Sequence, residues 1–168
     1  MPTAFRLRPA TAEDVPLILT LIRELAEFER LLHEVTADEA QMHAQLFGPR
    51  PSAEVILAED FATGEPAGLA LFFQNFSTFL AKPGIYLEDL FVRPAFRGHG
   101  LGRALLERLA QIAVERDCGR FEWAVLDWNE NAIGFYKKLG ARVLDDWRIC
   151  RVTGEALRNL ADGNQRPA

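Results

Sequence analysis

The 168 residues are 49% hydrophobic and 26% charged, the size and balance of one domain with a core and a ligand cleft. A net charge of −5 and a pI near 5.3 exclude the broad basic face that a nucleic-acid partner needs, and no apolar run approaches the ~20 residues that span a bilayer. The first residues lack the apolar stretch of a secretory signal, Cys118 and Cys150 make no disulfide framework, and His33, His43 and His99 are scattered at no metal-like spacing. The expectation is one cytoplasmic domain over 1–168, ordered over about 4–161, with no metal, nucleic acid or membrane partner.

Phe5 to Arg8 alternates as a strand and stops at Pro9. Thr11, Glu13 and Asp14 read as a helix start, and Leu17, Leu21, Ile22, Leu25 and Phe28 keep helical spacing to about Arg30. Thr36 opens a second short helix that ends near Phe47, before Gly48 and Pro49. Glu54–Glu59 and Ala67–Phe76 form a predicted hairpin around Thr63–Pro66, and Ile85–Val92 is the next strand, preceded by Pro83 and Gly84. Leu101–Arg116 is an amphipathic helix with Leu105, Leu106, Leu109, Ile112 and Ala113 on one face. Phe121–Leu126 reads as a strand and Ala132–Leu139 as a helix closed by Gly140. Ala141–Leu144 and Trp147–Val152 are expected to be extended, and Gly154–Ala161 to be a last short helix. The order predicts an α/β fold whose ligand site is the strand, Gly-rich turn and helix in its middle.

That stretch runs from Val92 through Arg97, Gly98, His99, Gly100, Leu101 and Gly102 to Arg103. The first N–H groups of a helix lack intrahelical partners and carry about half a positive charge. Glycines let a ligand approach that backbone closely, so the turn suits a phosphate or pyrophosphate. A Rossmann fingerprint would need glycine where Arg103 stands, and the Gly-Lys-Ser/Thr of a P-loop is absent.

Arg97-Gly98-His99-Gly100-Leu101-Gly102 resembles the Arg/Gln-x-x-Gly-x-Gly/Ala signature of the GNAT acetyltransferases. Trp128-Asn129-Glu130-Asn131-Ala132 and Phe135 to Ala141 are similar to that family's later block. Further likeness to the diamine (spermidine/spermine) acetyltransferases lies in Arg8 to Thr11, Leu25 to Glu29 and Tyr86 to Val92. It spans roughly Phe5 to Leu160, with departures at Phe28, where that subfamily usually has tyrosine, and at 77–83, which lacks an expected tryptophan. The resemblance implies a single GNAT-type domain with a mixed, mostly antiparallel sheet, a homodimer, and acetyl-CoA as cosubstrate. It implies acetyl-CoA contacts from Leu90, Phe91, Val92, Arg97, Gly98, His99, Gly100, Leu101, Gly102 and Arg103, and from Asn129, Ala132 and Lys138.

A primary ammonium with a pKa near 10.4 leaves only about one amine in 2,500 neutral at pH 7, so deprotonation costs roughly 4.6 kcal/mol. A base within reach of the amine is therefore useful. Glu88 and Asp89 sit together in an otherwise apolar strand and point to opposite faces. The resemblance makes Glu88 the base, through a water, with Asp89 holding the cationic acceptor beside Phe28 and Glu29. A strand N–H near Phe91 is expected to stabilise charge on the carbonyl oxygen, and Tyr136 to protonate the leaving thiolate. The expected activity is acetyl transfer to a small cationic amine. The alternatives are a protein or peptide N-acetyltransferase and a non-catalytic acetyl-CoA-binding module; the latter would have kept the phosphate loop while losing Glu88 and Tyr136.

Overall fold

A computed structural model describes residues 4–163. They fall into two units that meet in sequence between Ala124 and Val125. In the first unit, β1 (Phe5–Pro9), β2 (Glu54–Asp60), β3 (Pro66–Ser77), β4 (Lys82–Val92) and β5 (Arg120–Trp123) form one sheet in that order. The first three pairings are antiparallel and β4–β5 is parallel. A parallel pair needs a long crossover, which helix α3 (Leu101–Glu115) supplies.

Helix α1 (Val15–Phe28) begins one turn later than Thr11 suggested, because Ala12–Asp14 form a 3-10 turn first. There the Asp14 carboxylate accepts two N–H bonds from Arg8, at 2.7 and 2.8 Å, and the guanidinium holds its pKa down to about 2. Helix α2 (Glu39–Phe47) is capped by Asp38 rather than Thr36: its carboxylate accepts the Gln41 N–H at 2.7 Å. Ile18, Leu21 and Leu25 of α1 pack with Val55, Leu57, Leu69, Leu71 and Phe91 of the sheet. Arg93, just past β4, fixes α1 to this sheet. It donates to both Glu24 oxygens, at 2.9 and 2.7 Å, and to the Pro66 carbonyl at 2.9 Å.

Pro83 and Gly84, read as the approach to a strand, lie inside β4. The chain turns at residues 78–81 instead, with Ala81 at φ 50°, and a Cβ on Gly84 would strike the Asn75 side chain. The register of β3 on β4 changes in mid-strand: Leu71 lies opposite Asp89, but Phe72 lies opposite Leu87. Glu88 is thus a surplus residue, a β-bulge. Opposed residues share a face, so Ile85 and Leu87 go with Phe72, whereas Asp89 and Phe91 go with Leu71 and the α1 core. Pairing between β4 and β5 ends at Leu87 and Trp123, immediately before the bulge.

In the second unit, α5 (Gly154–Ala161) is as expected, and α4 (Glu130–Lys138) opens two residues before Ala132 because Asn129 caps it. The predicted strand to Leu126 stops at Trp123. Ala141–Leu144 and Trp147–Val152 form no strand, since an extended run becomes one only when a neighbour takes up its N–H and C=O groups. Trp147 and Ile149 are left 76% and 71% exposed.

Candidate active site

The loop from β4 to α3 starts with a 3-10 turn, Pro94–Phe96, and then opens out. Gly98 and Gly100 take φ values of 79° and 83°, in the left-handed region that glycine enters without penalty. Open space surrounds both, so conformation and not crowding calls for glycine there. Gly100 is the N-cap of α3, no side chain caps the helix, and its first turn holds no acid. The N–H groups of Leu101, Gly102 and Arg103 therefore begin a helix whose positive pole is countered by no acid of its own first turn. Arg103 itself is turned along the helix, donating to Glu107 at 2.7 Å. A recess of about 290 Å³ beside this loop is lined by Phe5, Leu7, His99, Gly100 and Ala104. Such a backbone fits a pyrophosphate.

Arg97 bridges the loop to the α1 side. Its Nε donates to the Val92 carbonyl at 2.8 Å, and its guanidinium lies 4.8 Å from the Phe28 ring centre and 5.8 Å from that of Phe91. Residues predicted for acetyl-CoA (Arg97, Phe91, Val92) and for the acceptor (Phe28) thus meet at one place. Leu90 follows on the other face of β4, opposite Ala70.

Glu29 caps the C-terminus of α1 and is half-buried, as is Asp89, while Glu88 on the bulge is exposed. Burial pushes the Asp89 carboxyl up to about 6, helped by the nearby charges of Glu88 and then Glu29. Burial raises the Glu29 carboxyl as well. The charges of two predicted acceptor residues, Glu88 and Glu29, therefore both reach the third, Asp89.

In the second unit, Asn129 is the N-cap of α4, where its Oδ1 accepts the Ala132 N–H at 3.2 Å. Tyr136 is half-buried with its ring 5.4 Å from that of Phe135, and Lys137 and Lys138 close the last turn. Asn129, Ala132, Tyr136 and Lys138 are gathered on this one element. The sequence reading missed the Arg93–Glu24 clamp and the stacking of Arg97 on Phe28. Partners 69 residues apart leave no local signal of either kind.

The family model described as "Acetyltransferase (GNAT) family" matches residues 19–141. An L-ornithine N5-acetyltransferase of Arabidopsis thaliana is 38% identical, over 92% of this chain and 87% of its own. A thialysine N-epsilon-acetyltransferase of Sus scrofa is 40% identical, over 92% and 96%. Among solved structures, an integron cassette protein of V. cholerae aligns over 94% of this chain and 98% of its own, with a TM-score of 0.78 and 25% identity. The sheet order, the uncapped glycine loop at the start of α3 and these matches have one reading: the chain belongs to the GNAT family of N-acetyltransferases, with acetyl-CoA as its acetyl donor.

Proposed function

We propose that the enzyme acetylates a primary amine of a small cationic molecule, such as a polyamine, a diamine or a thialysine-like amino acid, by direct attack in a ternary complex. One observation carries this reading. Asp89, Glu88 and Glu29 form a negative patch at the Phe28 and Phe91 end of the sheet, and the charges that act on Asp89 are those of carboxylates. An ammonium is the natural counter-charge. The activities named for the Arabidopsis and Sus relatives, on ornithine and thialysine, agree with an amine of this kind.

Acetyl-CoA, when bound, supplies the acetyl thioester. Residues 97–103 would hold its pyrophosphate by backbone N–H groups, and the resemblance adds Leu90, Phe91 and Val92 of the first unit and Asn129, Ala132 and Lys138 of the second as further contacts. Phe28, Glu29 and Asp89 orient the acceptor, Glu88 is the water-linked base that the resemblance suggests, and Tyr136 protonates the leaving sulfur. The test is CoA release with acetyl-CoA and a panel of spermidine, spermine, putrescine, thialysine, ornithine, lysine and short peptides. Saturable turnover on a polyamine or basic amino acid is expected, and turnover on peptides alone overturns the acceptor class. On the best amine, Tyr136→Phe is expected to lower kcat about a hundredfold with little change in KM, the usual size for a lost general acid. Full turnover in that variant removes Tyr136 from the chemistry.

The reading includes a cytoplasmic homodimer. The exposed apolar side chains Val143, Leu144, Trp147, Ile149, Val152, Leu157 and Leu160 support association of two copies through this region. Light scattering on the eluting protein should give twice the 18.9 kDa chain mass, and Trp147→Glu should return one chain.

A further inference from the structure

We infer that Asn75, Glu122 and Arg120 form a head-group subsite that reads the α-ammonium and α-carboxylate of an amino-acid acceptor, and that Arg120 steers the enzyme away from polyamines. The inference rests on the acceptor reading above and names the substrate class within it.

The three residues come from two strands that β4 keeps apart. Asn75 of β3 and Arg120 of β5 both lie opposite Gly84 of β4, while Phe73 and Glu122 both lie opposite Tyr86. The Asn75 Nδ2 donates to Glu122 Oε2 at 3.0 Å, across the width of β4. Glycine lets it pass: a Cβ at position 84 would strike Asn75 Oδ1 and press on the Arg120 side chain. Arg120 Nε lies 2.8 Å from the same Glu122 oxygen, though not in line for a hydrogen bond.

An ordinary surface ion pair needs no such support. Here Asn75 Oδ1 and Arg120 Nε are buried without a hydrogen-bond partner among the described residues, an exception that calls for a reason. The result is a Glu122 carboxylate with one oxygen fixed from two sides. Among the described residues no donor reaches the other oxygen, Oε1, and the Arg120 fork has only the Phe76 carbonyl, 3.4 Å from Nη2. The Arg120 and Glu122 side chains keep 37% and 35% exposure, so a ligand can reach both.

A guanidinium and an acid held side by side match a group with the opposite charges side by side. The α-carbon of an amino acid carries such a group: its carboxylate pairs with the guanidinium fork and its ammonium with Glu122 Oε1. The far end of a polyamine has positive charge alone. It meets a carboxylate that Arg120 already neutralises, and the guanidinium repels it.

The placement fits the length of such an acceptor. Leu71, Phe73 and Asn75 alternate onto one face of β3, the face of Asp89. Glu122 therefore lies on that face, roughly 7 Å further along the strands and about 5 Å across to β5. A side-chain amine four or five bonds from its α-carbon spans about 5–6 Å, and a polar contact at each end closes the rest. Between the two ends lies Tyr86, its ring 5.2 Å from that of Phe73, as a floor for the methylenes.

The experiment compares kcat/KM for ornithine with that for putrescine, the same chain without the α-carboxylate, in the wild type, Arg120→Met and Glu122→Gln. Acetyl-CoA affinity checks that each variant is folded. The wild type should favour ornithine about tenfold or more and acetylate its side-chain amine alone. Ornithine methyl ester, without the anionic charge, and Nα-acetylornithine, without the α-ammonium, should each lose about tenfold, mainly in KM. Arg120→Met should lower the ornithine value about a hundredfold and raise that for putrescine, because Glu122 is released to the diamine's far ammonium. Glu122→Gln should lower the ornithine value about tenfold. A wild type that favours putrescine, or an Arg120→Met enzyme that binds acetyl-CoA normally and loses both substrates alike, overturns the subsite. If Arg120→Met no longer binds acetyl-CoA, the two analogues decide in the wild type: turnover equal to that of ornithine overturns the subsite, and the expected losses uphold it. If the wild type turns over no amine at all, the acceptor reading falls and this inference with it; turnover of both amines without discrimination leaves that reading standing and overturns this inference alone.

Discussion

Gly100→Val should weaken acetyl-CoA binding on the order of a hundredfold while Gly100→Asn stays within about tenfold of the wild type. Gly100 sits at φ 83° and ψ 0° as the residue that opens α3. A β-branched side chain there is strained by roughly 1–3 kcal/mol, which the loop relieves by leaving the left-handed conformation. The N–H groups that follow then no longer converge, and the site for a pyrophosphate at the helix pole is lost. Asparagine tolerates the left-handed region, so it tests conformation apart from size. Open space around the position makes the comparison clean, because neither side chain meets a wall. Calorimetric titration with acetyl-CoA reads the result. Equal losses in both variants would mean that the glycine gives access to the backbone rather than shape to the loop.

The second large effect is on stability. Burial lifts the Asp89 carboxyl from 3.8 to about 6 in the folded chain, so the folded state holds this proton more tightly than the unfolded one. Stability from this group is therefore fully present below about pH 3.8, declines as pH rises toward 6, and is lost above it. At pH 7.5 the ionised Asp89 lowers stability by roughly 2–3 kcal/mol. Asp89→Asn should recover about 1–2 kcal/mol of this, or some 3–6 °C in Tm, because the amide keeps the shape without the charge. At pH 4 the advantage should disappear. Urea unfolding at the two pH values measures it, and a variant destabilised equally at both would make Asp89 a structural anchor instead.

Much of this was legible in the chain. The Gly-rich loop announces itself because left-handed glycines and a helix start are written in residue type, and α3 because its apolar face repeats at Leu105, Leu109 and Ile112. The acid pair stood out for lying in an apolar strand. What alternation hides is its direction: a plain strand would set Asp89 and Phe91 beside Ile85 and Leu87, and no residue type marks the surplus at Glu88. The end of β5 at Trp123 and the unpaired runs after Gly140 escaped for a different reason. Val125, Leu126, Trp147 and Ile149 have the composition of strands, but pairing depends on a neighbour, which the run itself does not encode. The Asp38 cap was missed because Thr36 competes as a cap two residues earlier.

The bulge also means that β4 carries two rival registers. In an unbroken ladder Glu88 and Leu90 would turn toward α1, while Asp89 and Phe91 would leave it. The register found gives up a ladder hydrogen bond, about 1 kcal/mol, and sets against α1 the larger Phe91, 4% exposed, in place of Leu90. The apolar bulk of Phe91 thus decides which of two adjacent acids faces inward. A smaller side chain at position 91 would narrow the gap between the two registers, so the size of that one residue guards the orientation of its neighbours.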